Sequence, residues 1–328
     1  MLKNKSFLIT GGTGSFGNTL AKKLISTDVA EVIIFSRDEA KQHFMKQEIQ
    51  DSRIRYILGD IRDLASVKKA LSGVDFVFHA AALKQVPASE SFPWEFVKTN
   101  VEGSHNLLNS FAGSGVTNAV FLSTDKAVYP LNAMGMTKAM MEKLVRSEDY
   151  PSKTTSVVTR YGNVIGSRGS VIPQFIESIK RTGEVNVTDL KMTRFMMSLD
   201  ESVDLVLFAL ANGDKGDLFV QKSPAATVQT VVDALAIMMH HKNISINVTG
   251  IRPGEKIHET LLTSEERSLA IEHDKYFQVK KRIGSEVIPQ KSSNFKSEYT
   301  SENTRILDPD QLAHMLSSIT HIASSMKG

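Results

Sequence analysis

The sequence predicts an α/β protein in which a doubly wound parallel sheet carries a smaller α/β domain. Three observations predict it. A short apolar run at 6–10 leads straight into TGGTGSFG at 10–17 and then into apolar-periodic residues, Leu20, Leu24 and Ile25. Strand-like runs at 31–35, 54–58, 75–79, 120–122 and 156–159 alternate with helical patterns, as repeated βαβ units do. Most of these runs end in small or polar residues, at the strand ends where ligands of such sheets bind.

At 328 residues the chain has room for a large core and more than one domain. A hydrophobic fraction of 41% with 23% charged residues is that of an ordinary soluble globular protein. The formal charge of +3 is too small to imply nucleic acid, and it is compatible with an anionic small substrate. There is no cysteine, which excludes disulfides, thiolate metal sites and a cysteine nucleophile, and which fits a reducing compartment. The first strand begins too early to leave room for a signal peptide. The apolar run at 203–211, among the longest, is too short for a bilayer and contains Asp204. A cytoplasmic protein without a membrane partner is expected.

Gly11, Gly14 and Gly17 have G-x-x-G-x-x-G spacing between the first strand and its helix. Glycines there permit a tight turn and let backbone N–H groups approach a pyrophosphate at a helix N-terminus. Alone the pattern is also that of a glycine loop without a ligand; its place makes nucleotide binding the expectation. The second strand ends in Ser36-Arg37-Asp38, where an NAD site would place a carboxylate for the ribose 2′-hydroxyl. Ser36 and Arg37 suit a 2′-phosphate instead, so NADP is favoured, with Asp38 near enough to leave NAD open. The third strand ends in Gly59-Asp60-Ile61-Arg62-Asp63 and the fourth in Ala80-Ala81-Ala82, small enough to let a dinucleotide approach. Lys84 follows on a loop, either a surface charge or a phosphate or substrate contact.

The centre of the chain is FLSTDKAVYPLNAMGMTK at 121–138. A strand ends in Ser123-Thr124, an acid and a base follow at once as Asp125 and Lys126, and a helix then carries Met134 and Lys138 four residues apart on one face. A helix is expected over 102–111, and the strand at 156–159 ends in Arg160-Tyr161-Gly162-Asn163. Beyond Gly166, a loop at 167–173 gives way to a helix through Ile179. A strand at 184–187, a helix at 198–212, a strand at 216–221 returning to the sheet, a helix at 227–240 and a strand at 244–248 follow. Arg194, Arg252 and Lys256 sit in or beside loops, as phosphate clamps or as surface ion pairs. The Ser/Lys/Glu-rich stretch at 284–303 is expected to be a mobile arm, and 308–324 a terminal helix. His240 and His241 have no partner spacing for a metal. The expected domains are 1–166 with 195–224 for the nucleotide, 167–194 with 225–283 for the substrate, and 284–328 as arm, latch and helix.

With these residues in place, the chain resembles the extended short-chain dehydrogenase/reductase superfamily, and within it the inverting UDP-N-acetylglucosamine 4,6-dehydratases of bacterial surface-sugar synthesis. The segments that carry the resemblance are TGGTGSFG (10–17), FSRDE (35–39), GDIRD (59–63), HAAALKQVP (79–87), STDKAVYPLNAMGMTKAMMEK (123–143), TRYGNVIGSRGSVIP (159–173), MTRFMMS (192–198) and RPGEK (252–256). Most members have tyrosine where this chain has Met134; the subgroup without it looks like the capsule-type dehydratase/5-epimerases. YTSENTRIL (299–307) resembles that subgroup's C-terminal latch.

The resemblance implies a Rossmann-like fold with tightly held NADP, contacted by Gly11, Thr13, Gly14, Ser15, Phe16, Gly17, Ser36 and Arg37. Asp60, Ile61, Ala80, Ala81, Ala82, Lys84, Lys138, Tyr161 and Asn163 would complete that site. For the UDP-sugar it implies Lys84, Thr124, Asn163, Val171, Arg194, Arg252 and Glu255. It gives Lys126 the C5 proton, Asp125 proton donation to the departing C6 oxygen, Lys138 the nicotinamide ribose and Thr124 the sugar near O4. Met134 has no titrating proton, so another group must take the C4 hydroxyl proton; Lys126 is the candidate, through a water held by Thr124 and Lys138. Met136, Met140, Met141 and Leu144 crowd the same helix, which often packs in a dimer in this superfamily. A homo-oligomer is expected, with a hexamer among the implied assemblies. The alternatives are a UDP-sugar 4-epimerase and a non-catalytic nucleotide-sugar-binding protein.

Overall fold

A computed structural model describes residues 2–167, 169–241, 243–282, 296–319 and 322. Its large sheet has nine strands among the described residues. From one edge run Ile54–Leu58, Glu31–Ser36, Ser6–Thr10, Phe76–His79, Asn118–Leu122, Thr155–Arg160 and Leu218–Gln221, all parallel. The hairpin of Ile271–Glu272 and Tyr276–Val279 closes the other edge, with Tyr276–Val279 antiparallel to its neighbour. The order switches direction between Ser6–Thr10 and Phe76–His79, which opens a crevice at their carboxyl ends.

Alternation along the strands builds a core on each face. Phe7, Ile9, Val32 and Ile34 pack toward Leu20 and Leu205, while Leu8, Ile33, Phe35 and Val77 pack toward Leu107 and Met141. The helix Leu199–Asn212 starts with a full capping box between Ser198 and Glu201. Asn132 caps the helix Ala133–Val145 by accepting from the Gly135 N–H.

The smaller part is built on a separate core that includes Ile165, Phe175, Ile176, Val185 and Leu235. It carries the sheet of Ala225–Thr227, Thr193–Met197 and Asn163–Val164, and the pair Ser245–Val248 with Glu184–Val187. Four expectations change here. Residues 171–173 are not loop: the helix Val171–Thr182 begins there, and Pro173 is tolerated within its first turn. Arg194 lies inside a strand. Residues 271–279, expected in the smaller part, supply the edge hairpin of the large sheet. Of the expected arm at 284–303, residues 284–295 lie outside the described residues, but Tyr299 and Ser301 are buried and Tyr299–Thr300 pairs with Thr260–Leu262. The terminal helix is present as Pro309–Ser317.

Beneath the crevice, the buried Arg160 guanidinium meets Glu142 at 2.5 Å and Glu266 at 2.9 Å, and Ser123 donates to Glu142 at 2.5 Å. Burial opposes the Arg160 charge, but the two carboxylates outweigh it and raise its pKa. Removing one partner leaves a poorly compensated buried charge. Glu142→Ala is expected to lower unfolding stability by about 3 kcal/mol in urea denaturation, whereas an exposed Lys22→Ala should change it by under about 0.5 kcal/mol.

Candidate active site

The carboxyl ends of the central strands open onto a cleft of about 660 Å³. Every residue expected at the nucleotide lines it: Gly11, Thr13, Gly14, Ser15, Phe16, Gly17, Ser36, Arg37, Asp60, Ile61, Ala80, Ala81, Ala82, Lys84, Lys138, Tyr161 and Asn163. Gly11 has a φ of +66°, and an added Cβ would lie 2.7 Å from the Ala81 Cα, so the two turns touch only because it is glycine. Gly14 leads the helix Ser15–Ile25 without a side-chain cap, and a Cβ there would meet only the Gly11 carbonyl. A helix N-terminus with free space before it suits a pyrophosphate, so these residues fit a dinucleotide.

At the second strand's end, the Ser36 and Thr13 hydroxyls are 2.9 Å apart, and half-exposed Arg37 lies 3.7 Å from Asp60. Asp38 also lines the cleft, but its carboxylate is engaged by its own helix. Its carboxylate caps the helix Glu39–Glu48 at the Lys41 N–H and pairs with the Lys41 ammonium at 2.6 Å. Burial lowers the Lys138 ammonium to about 8, against an upward pull from Glu142.

Thr124, Asp125, Lys126 and Met134 line the same cleft, at the end of Asn118–Leu122 and the start of Ala133–Val145. Asp125–Ala127 forms a single 3₁₀ turn with Thr124 as its cap. Asp125 is fully buried; its Oδ1 accepts from Lys126 Nζ at 3.0 Å and from Thr124 Oγ1 at 2.9 Å, and its Oδ2 has no hydrogen-bond partner. Gly162 makes room for it, since a Cβ there would collide with the Phe195 side chain and approach Asp125 Oδ2 to 3.3 Å.

One partner was not anticipated from the sequence. Glu259 is 3% exposed and places Oε1 3.1 Å from Lys126 Nζ and 3.9 Å from Arg194 Nε, while Oε2 has no partner. It lies between RPGEK and a three-residue strand, and only its nearness to that motif could have pointed to it. Burial pushes the Asp125 carboxyl up against the pull of Lys126, and the Glu259 charge adds to the rise. Glu259 is desolvated too, but Lys126, Arg194 and Lys256 hold it low. Burial disfavours the Lys126 charge, yet the two carboxylates outweigh it and raise its pKa.

The remaining expected substrate contacts divide. Val171 and Arg194 line a small apolar cavity of about 60 Å³ that shares Asn163, Val164 and Ser170 with the cleft. Asn163 Oδ1 and Ser170 Oγ are buried there without partners. Arg194 is held by the carbonyls of Thr193 and Ile257 rather than free to reach out. Arg252 and Glu255 line neither cavity; the Glu255 carboxylate accepts from the Arg252 backbone N–H at 3.4 Å. Lys256 donates to the Val128 carbonyl. Among the described residues, no cluster of three or more His, Asp or Glu could hold a metal ion, and no helix is long and apolar enough to cross a membrane.

The chain is similar to known proteins at several levels. The family described as polysaccharide biosynthesis protein matches residues 7–281. A Rickettsia prowazekii (strain Madrid E) protein named UDP-glucose 4-epimerase is 43% identical, covering 100% of this chain and 99% of that protein. The X-ray structure of Pen from Bacillus thuringiensis is similar at 34% identity and a TM-score of 0.89, over 97% of this chain and 98% of that one. DesIV, a dTDP-glucose 4,6-dehydratase from Streptomyces venezuelae with NAD bound, shares the fold at 23% identity and a TM-score of 0.71, over 77% and 86% of the two chains. The chain belongs to the polysaccharide biosynthesis protein family, among the nucleotide-sugar epimerases and dehydratases of the extended short-chain dehydrogenase/reductase superfamily.

Proposed function

We propose that the protein is an NADP-dependent 4,6-dehydratase acting on UDP-N-acetylglucosamine, with inversion at C5, in bacterial surface-polysaccharide synthesis. One observation carries this reading: a buried acid and a partly buried amine, Asp125 and Lys126, line the cleft together where Met134 offers no proton. Exchange of hydride at C4 alone does not call for such a pair. Elimination across C5 and C6 does.

Bound NADP would supply the hydride acceptor for the sugar C4 and the donor for C6. The glycine turn would hold its pyrophosphate, Ser36 and Arg37 its 2′-phosphate, and Lys138 its nicotinamide ribose. As hydride leaves C4, the hydroxyl proton passes through a water held by Thr124 and Lys138 to Lys126 and on to solvent, which restores the neutral amine; once C4 is a ketone, the C5 hydrogen is acidic. Lys126 takes that proton, the C5–H electron pair becomes the C5=C6 bond, and the C6–O bond breaks. Asp125 gives its proton to the departing oxygen, which leaves as water. Its raised pKa supports the role of acid. Thr124 would hold O4, and the unpartnered oxygens of Asn163 and Ser170 would meet the rest of the substrate. With hydride returned to C6, a proton from solvent water added to the opposite face of C5 gives the L-configured keto sugar.

The name of the Rickettsia relative favours a second reading, a UDP-sugar 4-epimerase. Product mass separates the two. From UDP-N-acetylglucosamine we expect a product lighter by one water in mass spectrometry, and Lys126→Ala should slow its formation at least about 100-fold. A product of unchanged mass contradicts the dehydratase reading.

Arg37, Asp38 and Lys41 all line the cleft; the preference for NADP rests on the Arg37 guanidinium there while the Asp38 carboxylate is taken up by Lys41. Arg37→Ala should weaken NADP binding about tenfold and leave NAD binding unchanged in calorimetric titration. Equal losses for both would contradict the assignment.

A homo-oligomer is supported by the outer face of Ala133–Val145. Met136 and Met140 are 54% and 51% exposed, and the neighbouring segment exposes Phe92 and Trp94, whereas Met141 is buried in the core. Light scattering should give a dimer or a multiple of it; a monomer at micromolar concentration contradicts this.

A further inference from the structure

We infer that Glu259 is a positioning residue for the elimination, setting the basicity of Lys126 through the contact of its carboxylate with the amine. The inference rests on the dehydratase reading for its chemistry, though not for its geometry. Glu259 has no expected contact with sugar or nucleotide, lies outside the residues that line the cleft, and is buried with one oxygen on Lys126. An unpaired buried carboxylate is costly, so its partner matters to its state.

The C-terminal segment fixes its place. Ser301 N donates to the Glu259 carbonyl at 2.8 Å, and Glu259 N donates to Ser301 Oγ at 2.9 Å. Ser301 Oγ also lies 2.6 Å from Thr193 Oγ1, beside Arg194. Tyr299 anchors this turn by donating to the Ser223 carbonyl at 3.0 Å. The strand Tyr299–Thr300, distant in sequence, thereby holds the carboxylate against the amine.

The proton count gives the cluster its chemistry. The ion pair seen between Lys126 and Asp125 carries one proton in total on the amine and carboxylate beyond the neutral-amine, carboxylate state. Its transfer along the 3.0 Å Nζ–Oδ1 hydrogen bond leaves a neutral amine and a protonated acid, the pair that elimination needs. During elimination the C5 proton passes to Nζ and the Asp125 proton to the C6 oxygen, which restores the ion pair. Positive charge therefore develops on Nζ, 3.1 Å from Glu259 Oε1, as C5–H breaks. A fixed carboxylate there makes the amine a stronger base. The other charges on Lys126 come from Asp125 and, in opposition, from Arg194; Lys256 acts on Glu259 from the preceding loop.

The active form carries one proton on the Asp125–Lys126 pair, so the rate should follow a bell with two apparent pKa values belonging to the pair. Removing the Glu259 charge lowers both. Two measurements on the NADP-loaded protein test this. In competitive acetylation with acetic anhydride, without sugar, the Lys126 titration midpoint should fall by about one pH unit in Glu259→Gln and stay near wild type in Glu259→Asp. In water loss from UDP-N-acetylglucosamine, Glu259→Gln should move both limbs of the pH profile down and lower the plateau about tenfold or more. An unmoved Lys126 midpoint overturns the inference, whatever the reaction proves to be. A midpoint that falls while wild type releases no water sinks the dehydratase reading and leaves the coupling of Glu259 to Lys126 standing. Should Glu259→Gln fail to fold, Ser301→Ala, which loosens the turn that holds Glu259, should lower the Lys126 midpoint, and an unmoved midpoint there would equally overturn the inference.

Discussion

The site is organised by one ammonium between two buried carboxylates: Lys126 Nζ lies 3.0 Å from Asp125 and 3.1 Å from Glu259. The amine offsets part of the cost of burying both acids, with Arg194 and Lys256 also acting on Glu259, and the two acids in turn support its charge. The neighbouring structure serves this contact. The strand Asn118–Leu122 delivers Asp125 and Lys126, Gly162 leaves space for the Asp125 carboxylate, and Ser301 fixes Glu259. The price of the arrangement is two orphaned oxygens, Asp125 Oδ2 and Glu259 Oε2, and of the two residues only Asp125 lines the cleft, where a substrate could supply a hydrogen bond.

What was legible in the sequence was local. Strand, turn and helix follow from apolar alternation, glycine spacing and caps, so the parallel sheet and the nucleotide cleft could be placed residue by residue. Asp125, Lys126, Met134 and Lys138 were legible because one strand end and one helix bring them together. Glu259 was not, because its burial comes from pairing with segments far along the chain. The strands Thr260–Leu262 and Ile271–Glu272 were missed because two or three residues carry no periodic signal. Arg252 and Glu255 show the opposite failure: a motif pointed to them, but their backbone places them outside both cavities. The polar composition of the C-terminal segment suggested mobility, whereas Tyr299 is buried against Phe195 and Phe277.

The fold itself supports more than one reaction on a nucleotide sugar, as its epimerase and dehydratase relatives illustrate. Hydride exchange at C4 is the step they can share. What separates the outcomes is whether a proton is drawn from C5 while an oxygen departs from C6, and that depends on a few side chains beside the nicotinamide. Here Met134, which has no titrating proton, lines the same cleft as Asp125 and Lys126.

The most direct measurement uses UDP-N-acetylglucosamine carrying deuterium at C4 and reads the product by NMR. If the internal redox and elimination cycle operates, the deuterium appears in the C6 methyl group of a 4-keto product. Deuterium retained at C4 of an intact hexose would contradict it.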